Sequence, residues 1–140
     1  MTVPVEGQTL SVLERMHQAL NAHDIDAFVE LFSFDYRSQQ PAHPDRQFGG
    51  REQVRENWGG TFQEVPDFHA DLLRSAVSGD TVWSEWDWYG TRQDGSRLEM
   101  RGVVLLGVQA GHIAWARLYM EFVEHDGAGI REAVRRMRSA

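Results

Sequence analysis

The chain has 140 residues, 41% of them hydrophobic, which fits one compact domain with a real core. It contains no cysteine and no lysine, since all 14 basic residues are arginines, and this excludes disulfides, thiolate nucleophiles and Schiff-base chemistry such as covalent pyridoxal phosphate catalysis. The net charge of −7 disfavours a nucleic-acid surface, and no apolar run approaches the roughly 18 residues that span a bilayer.

The two ends of the chain bear on location and partners. The first ten residues show no basic segment followed by an apolar one, so the sequence predicts no secretory signal and a cytoplasmic protein. The last residues, 127–140, form a predicted helix with four arginines. A short basic helix can touch RNA or an acidic membrane, but a solvated helix end is the commoner outcome. We therefore expect no nucleic acid and no membrane as partners.

Three helices are predicted before any long strand. Apolar residues recur at helical spacing in each of them, and Asp24 is placed to cap the second. Gly49-Gly50 opens the third, which Gly59-Gly60 weaken and Pro66 ends. The apolar positions are Leu10, Leu13, Met16 and Leu20 in the first helix, Ile25, Phe28, Leu31 and Phe32 in the second, and Val54, Trp58 and Phe62 in the third.

Strands dominate the rest of the chain. A short strand over 34–40 is predicted between the second and third helices, and it ends at Pro41. Four longer strands follow over about 68–77, 81–92, 97–108 and 112–124, separated by hairpin-type connectors. This order predicts an α+β fold: a cone-shaped, curved antiparallel sheet with three N-terminal helices packed on its concave face, and a short C-terminal helix. The wide mouth of such a cone is a natural place for a small-molecule pocket.

The stretch Trp83 to Tyr89 holds three of the five tryptophans and two carboxylates. In a strand, Trp83, Glu85, Asp87 and Tyr89 share one face, and Ser84, Trp86 and Trp88 take the other. Two acids beside aromatic rings in a hollow would form an acid–base site, whereas on an open face they would do nothing. The hypothesis places the acids in the pocket and the Trp86–Trp88 face at a self-association surface.

The last strand raises the same question for Glu121. It shares the parity of Ile113, Trp115, Arg117 and Tyr119. If Ile113 and Trp115 are buried, Glu121 should also turn inward, barring a bulge. Arg117 would then pair with it, as part of a site in one interpretation and as a structural clamp in the other.

Several local sequences, in this order, resemble the nuclear transport factor 2-like superfamily, and within it the SnoaL-like branch that includes polyketide cyclases. The segments that carry the resemblance lie between about residues 10 and 124: Ala19-Leu20-Asn21-Ala22-His23-Asp24, Phe48-Gly49-Gly50-Arg51-Glu52, Glu85-Trp86 to Gly90-Thr91, Glu99-Met100-Arg101-Gly102-Val103, Gly111-His112-Ile113 and Arg117-Leu118-Tyr119-Met120-Glu121. The resemblance implies one SnoaL-like domain over 1–140, with its core at about 8–125.

The resemblance implies a reaction only residue by residue, because the superfamily hosts many chemistries. The three catalytic positions of its ketosteroid isomerases fall at Gln40, Met16 and the apolar run 103–106, so that mechanism is not expected. The positions of its limonene epoxide hydrolases fall at Glu85, Asp87 and Glu121. The arginine between their two acids is replaced by Glu85, and Arg101 or Arg117 could substitute for it in space. SnoaL-like cyclases also use an acid near Glu121.

The candidate site follows from these arguments. Residues on or after the first strand, with His43 in a loop, occupy places where family members contact ligands, and the aromatic candidates are pocket wall or plain core. No metal-type histidine spacing is present, so we expect no metal and no cofactor. The catalytic candidates are Asp87, Glu121 and Glu85, and the substrate-binding candidates are Tyr36, Gln40, His43, Trp58, Trp83, Arg101, Trp115, Arg117 and Tyr119.

Two functions remain open on the sequence. The first is a cofactor-independent acid/base enzyme of the cyclase, isomerase or hydratase/epoxide-hydrolase type, acting on a small apolar organic substrate. Asp87 or Glu121 would be its general base and the other acid its proton donor, with Tyr119 or Arg117 stabilising the developing negative charge. The alternative is a non-catalytic ligand-binding or dimerisation module. In either case we expect a homodimer through the convex face of the sheet.

Overall fold

The computed structural model describes residues 4–139 and confirms the predicted α+β class. The chain begins with two helices, α1 (Val5–Ala22) and α2 (Ile25–Glu30), and a third, α3 (Arg51–Glu64), follows the first two strands. The strands are β1 (Phe32–Gln39), β2 (Phe48–Gly49), β3 (His69–Ser78), β4 (Thr81–Thr91), β5 (Arg97–Gln109) and β6 (His112–Phe122), and α4 (Ile130–Ser139) is the last helix. The expected domain ends at residues 1 and 140 lie outside the described residues. None of the described helices is both long and apolar enough to cross a membrane.

The six strands form one sheet in the order β2-β1-β6-β5-β4-β3. The predicted meander of four strands is present as β3 to β6, and every neighbouring pair in it is antiparallel. The sheet is mostly antiparallel, as predicted, with one exception: β1 pairs with β6 in parallel. The two-residue β2 and the 3-10 turn Pro44–Arg46 were not predicted, since both are too short to show a period.

The helices cover one face of the sheet, which we call the inner face, and the opposite face is the outer face. Along β4 the buried residues alternate strictly, so that Val82, Ser84, Trp86 and Trp88 point to the inner face. Trp83, with half of its surface exposed, lies on the outer face with Glu85 and Asp87. The predicted alternation in β4 is therefore correct, but the face that carries the acids is the one that the helices leave uncovered.

Polar side chains fix α1 to β3. Asn21 brackets Ala70, because its Oδ1 accepts the Ala70 N–H and its Nδ2 donates to the Ala70 carbonyl oxygen, at 2.7 and 3.0 Å. His17 Nε2 also lies 2.8 Å from that carbonyl oxygen. The next helix begins as the sequence predicts, since the Asp24 carboxylate accepts the Ala27 N–H at 3.1 Å. These contacts set the helices across the sheet and leave space beneath α3.

A bulge in β6 decides which of its side chains face inward. Gly107 of β5 pairs with Trp115, whereas Val108 pairs with Ile113, so Ala114 is an extra residue in β6. Ile113 is fully buried in the core, but after the bulge Ala116 and Met120 are the residues that pack inward. Trp115 and Glu121 therefore turn to the outer face. The expectation that Glu121 shares the inward orientation of Ile113 is wrong for this reason.

Candidate functional site

An apolar cavity of about 350 Å³ lies between the inner face and α3. Its walls come from β1, α3, the C-terminal ends of β4 and β6, and the N-terminal end of β5. The aromatic and aliphatic lining residues are Phe32, Tyr36, Phe48, Val54, Trp58, Phe68, Trp88, Leu98, Met100, Leu118 and Phe122, and the polar ones are Ser38, Gln40, Asn57 and Thr61. Among residues 4–139, no Asp, Glu, His or Arg lines this cavity.

Packed rings form much of the wall. Trp58 of α3 is at the centre of the group: its ring centroid lies 5.2 Å from that of Trp88 and 5.4 Å from that of Phe68, both in edge-to-face geometry. On the other side, Tyr36 packs edge-on against Phe32, with 4.7 Å between centroids. Such contacts favour a preformed rather than a collapsed space, because each ring is held by others.

Tyr36 is the one ionisable residue in this wall. Burial raises the pKa of Tyr36 to about 12, although its hydrogen bond with Ser38 acts in the opposite direction. The hydroxyl is therefore protonated at neutral pH and can donate a hydrogen bond. The whole lining consequently carries no net charge.

The polar amides of the wall are oriented by neighbours. The Gln40 Oε1 accepts a hydrogen bond from Arg46 at 2.9 Å, and the Asn57 Oδ1 accepts one from Gln53 at 2.7 Å. With both oxygens engaged, the amide NH₂ groups of Gln40 and Asn57 are available as donors. The wall also holds an acceptor, because the Thr61 hydroxyl donates its proton to the Asn57 backbone carbonyl oxygen at 2.8 Å and keeps its lone pairs.

Three of the predicted site residues, Tyr36, Gln40 and Trp58, line this cavity. The structure places most of the others on the outer face. Trp83 is half exposed on that face. Trp115, Arg117 and Tyr119 of β6, which the sequence predicts to face the pocket, also point to the outer face. These residues do not converge on one hollow as expected, because the side chains of β4 alternate strictly and β6 has a bulge at Ala114.

The three predicted acids do not meet in the cavity. Glu85 pairs with Arg74 at 2.8 Å, and Asp87 lies 3.3 Å from Arg101. Arg101 is in register with Asp87 on one side and with Glu121 on the other, so the acid–arginine–acid order that the resemblance implies exists across three strands. It lies on the outer face, where charged groups stay hydrated and avoid the cost of burial.

A second, shallower depression of about 210 Å³ surrounds part of this row. Its charged and polar side chains are Asp71, Asp87, Tyr89, Arg97, Glu99 and Arg101. The Tyr89 hydroxyl donates to Asp71 at 3.1 Å, and His69 lies 3.1 Å from the same carboxylate. Burial, with Asp71 as hydrogen-bond partner, raises the pKa of Tyr89. The depression is a network of mutually paired groups.

One predicted pair is brought together over a long sequence distance. His43 Nε2 lies 2.7 Å from Glu121 Oε1, with both side chains partly exposed. His43 follows β1 and Glu121 precedes the end of β6, and because these strands run parallel their ends lie side by side. The adjacent residue Phe122 lines the cavity itself. Residues 4–139 contain no group of three or more His, Asp or Glu side chains arranged to hold a metal ion.

The sequence interpretation missed Trp88, Ser38, Asn57 and Thr61 as cavity residues. Trp88 could have been found from the alternation in β4, because the face with acids at every second position is the one that water covers. Thr61 lies three residues after Trp58 and four after Asn57 on α3, so it is the helical neighbour of both. Ser38 shares the strand face of Tyr36 and Gln40.

Comparisons with known proteins agree with this architecture. A family model described as a SnoaL-like domain matches residues 13–116. A comparison with curated proteins found no match. Three solved structures that resemble the chain are described next. Their sequences are 19 to 21% identical to it where they align, and this likeness shows a common fold.

A protein from Jannaschia sp. CCS1, named as a SnoaL-like polyketide cyclase, superposes with a TM-score of 0.73 and 20% identity over 86% of this chain and 90% of its own. A protein from Kribbella flavida, named as a ketosteroid isomerase, superposes with a TM-score of 0.68 and 21% identity over 95% of this chain and 91% of its own. RV0760c from Mycobacterium tuberculosis, crystallised with estradiol-17beta-hemisuccinate, superposes with a TM-score of 0.71 and 19% identity over 82% of this chain and 98% of its own.

Proposed function

The chain belongs to the SnoaL-like family, and we propose that it binds a small, uncharged and largely apolar organic molecule in the inner cavity. The chemistry of the cavity lining is the observation that carries this proposal. A space of about 350 Å³, walled by rings and aliphatic groups with four polar side chains, has the size and composition of a small-molecule pocket. An ion would lose its hydration there without gaining a counter-charge.

The names of the structural neighbours are consistent with this proposal. One neighbour was crystallised with a steroid derivative, and others are named as polyketide cyclases or ketosteroid isomerases. These are proteins with the same fold and low identity, so they support the class of ligand and leave the particular compound open.

The proposal is tested with two fluorescent probes that differ in charge. N-phenyl-1-naphthylamine is neutral, and 8-anilinonaphthalene-1-sulfonate is its sulfonated analogue. We expect the neutral probe to bind with enhanced emission and at least about tenfold more tightly than the anion, since each 1.4 kcal/mol of desolvation cost is a factor of ten. Equal affinity for the two probes would contradict an uncharged cavity.

Adjacent residues on β6 provide a matched pair of variants. Leu118 lines the cavity, whereas Tyr119 points to the outer face. Leu118→Trp fills the cavity and should abolish binding of the neutral probe, while Tyr119→Trp should leave it within about twofold. If the two variants bind the probe alike, its site is elsewhere. Circular dichroism and thermal unfolding establish that both variants are folded.

A second candidate function is cofactor-independent proton transfer, which the pair His43–Glu121 favours. A carboxylate that holds an imidazole at 2.7 Å orients it as a general acid or base. Of the three acids considered catalytic, Glu121 is the one paired to a histidine, and it directly precedes the cavity residue Phe122, whereas Asp87 and Glu85 are paired to arginines. Cyclisation, isomerisation and hydration all need such a proton transfer.

Proton transfer can be measured without the natural substrate. Wild type should accelerate deuterium uptake into the methyl group of 2-acetylnaphthalene in D₂O, and Glu121→Gln or His43→Gln should remove most of that acceleration. Asp87→Asn is the matched control and should retain it. Neutral-probe affinity should stay within a few-fold in all three variants. If deuterium uptake with wild type is no faster than in buffer, proton transfer is contradicted and ligand binding is the one function that stays proposed.

We also propose a homodimer through the outer face. The half-exposed Trp83 and the exposed Tyr119 give this face apolar area that a two-fold-related copy can cover. The predicted involvement of Trp86 and Trp88 is wrong, because both are buried on the inner face. Sedimentation of wild type and of Trp83→Glu tests this, with a monomeric variant expected.

A further inference from the structure

A polar depression of about 350 Å³ lies where the outer face meets the loop after β1. Arg117 and Tyr119 of β6 border it on one side, and Gln39 of β1, which is in register with Arg117, borders it on the other. We call it the arginine depression, and its other lining residues are Gln40, Pro41, Pro44 and Gln47. Among residues 4–139, no Asp, Glu or His lines it.

Arg117 has no carboxylate partner in the part of the chain that the structure describes. The sequence predicts that it pairs with Glu121, but the Glu121 carboxylate is held by His43 at 2.7 Å instead. Three other arginines of the outer face lie 2.8 to 3.9 Å from an acid, and these are Arg74, Arg97 and Arg101. In a chain with 21 acidic and 14 basic residues, an arginine without a counter-charge leaves a local positive potential.

Neutral amides hold the arginines at this depression. Arg117 Nε donates to Gln39 Oε1 at 3.3 Å, and Arg46 Nη1 donates to Gln40 Oε1 at 2.9 Å. An amide oxygen orients a guanidinium without neutralising its charge. Because Arg117 is engaged through Nε, its Nη groups remain as donors, and because the Gln39 oxygen is engaged, the Gln39 amide presents its NH₂. A guanidinium fork beside an amide NH₂ suits the two oxygens of a carboxylate.

The sides of the depression are less polar than its donors. Pro41 and Pro44 line it, together with Tyr119, whose side chain is exposed. The volume is at the lower end of the range for small-molecule pockets. An inorganic anion would leave most of this space and the surface of the proline rings unused. The lining therefore favours an organic acid, with its carboxylate at Arg117 and its carbon skeleton against the prolines.

We propose that the arginine depression is a second ligand site, which binds the carboxylate of a small organic acid through Arg117 and Gln39. Gln40 borders both hollows, but Arg117 lies on the outer face, and the lining of the inner cavity carries no charge. The protein would thus sort ligands by charge, with neutral molecules in the inner cavity and acids in the arginine depression. The inference does not depend on the function proposed for the inner cavity.

The test uses benzoate and benzamide, which have almost the same shape and differ in charge. The side-chain NH₂ cross-peaks of Gln39 in ¹⁵N-labelled protein should shift with benzoate, and benzamide should bind there at least about threefold more weakly. Arg117→Gln should weaken benzoate binding about three- to tenfold, since water screens part of the attraction. Arg74→Gln removes the same charge from the outer face and should change the affinity less than about twofold.

A second variant closes the site without removing an arginine. Gln39→Glu puts a carboxylate where the amide oxygen now accepts the Arg117 Nε–H, and so supplies the missing counter-charge. Isothermal titration calorimetry should show benzoate binding reduced as much as in Arg117→Gln. Arg74→Gln changes the net charge by the same amount and is again the control.

Four results would overturn the proposal. They are no benzoate binding to wild type, equal affinity in wild type and Arg117→Gln, an equal loss in Arg74→Gln, and binding confined to monomers in a sample that sedimentation shows to dimerise. In the last case, carboxylates of the second copy would be the partners of Arg117. The neutral naphthylamine probe should bind wild type and Arg117→Gln alike, so the two sites are tested separately.

Discussion

The two faces of one strand differ completely in chemistry. On its inner face β4 presents Ser84, Trp86 and Trp88, all buried and uncharged, whereas its outer face presents Glu85 and Asp87, each held by an arginine. The difference follows from solvation, because a carboxylate keeps water on the outer face and would lose it on the inner one. Any proton-transferring group for the cavity would therefore have to lie outside its lining, as the paired His43 and Glu121 do.

The largest expected effect comes from truncating tryptophans on opposite faces. Trp86→Ala empties a fully buried site and should lower the free energy of unfolding by about 3–5 kcal/mol. Within the monomer, Trp83→Ala removes a half-exposed ring and should cost less than about 1 kcal/mol. Urea unfolding of both variants, at a protein concentration at which sedimentation shows monomers, measures this. Similar losses would show that the two faces are not energetically distinct.

A smaller effect should distinguish the two inner tryptophans. Ser84→Ala leaves the Trp86 N–H without its acceptor and should cost about 1–3 kcal/mol. Trp86→Phe then costs less in the Ser84→Ala background than in wild type. Trp88→Phe should be independent of Ser84, because no hydrogen bond joins them. The double-mutant cycles are read from urea midpoints, and an additive Ser84–Trp86 pair would contradict this hydrogen bond as a source of stability.

Because the inner face is uncharged, the stability of the protein should fall at alkaline pH, and we call this fall the alkaline limb of its pH profile. Burial raises the pKa of Tyr36 to about 12 from 10.0. As pH rises above about 10, the unfolded chain releases this proton first, so the native state binds more protons and stability falls, by at most about 1.4 kcal/mol per pH unit. The contribution is complete below the unfolded-state pKa and is lost as pH passes the folded-state one.

Tyr36→Phe isolates that limb. The variant should lose less stability than wild type between about pH 9 and pH 11, and the two should run parallel below pH 9. Tyr89, whose pKa is also raised, is present in both proteins and cancels in the comparison. Parallel curves throughout would mean that Tyr36 is exposed to water in solution.

The smallest effect is expected on the outer face. The pair Arg74–Glu85 joins partly exposed side chains at 2.8 Å. A double-mutant cycle with Arg74→Ala and Glu85→Ala should give a coupling of about 0.2–1 kcal/mol, because water screens both charges. The coupling should shrink further in 1 M salt, where the screening length is about 3 Å. A coupling above that range would show that a partner subunit buries the pair.

The sequence predicts the fold well because the relevant signals are local. Helical spacing, the Asp24 cap and the hairpin connectors each depend on residues close together in the chain, and the strands begin and end within a few residues of the predicted bounds. The parallel contact of β1 with β6 joins segments about 80 residues apart. No local pattern reports such a pairing.

The site is predicted less well for two physical reasons. Aromatic residues on both faces of β4 hide which face is buried, so the acids were expected in the cavity and Trp88 at a surface. A single extra residue at Ala114 then reverses every later side chain of β6. Tyr36, Gln40 and Trp58 line the cavity, and β1 and α3, which carry them, have no such ambiguity.

The bulge at Ala114 decides which chemistry of β6 faces the cavity. Regular pairing of every residue from Ile113 onward would present Arg117, Tyr119 and Glu121 to the interior in place of Leu118, Met120 and Phe122. Deleting Ala114 would not produce that exchange, because it removes the one residue that the pairing with β5 already skips. The strand can therefore lose this alanine and still keep a cation, a phenol and an acid out of the hollow.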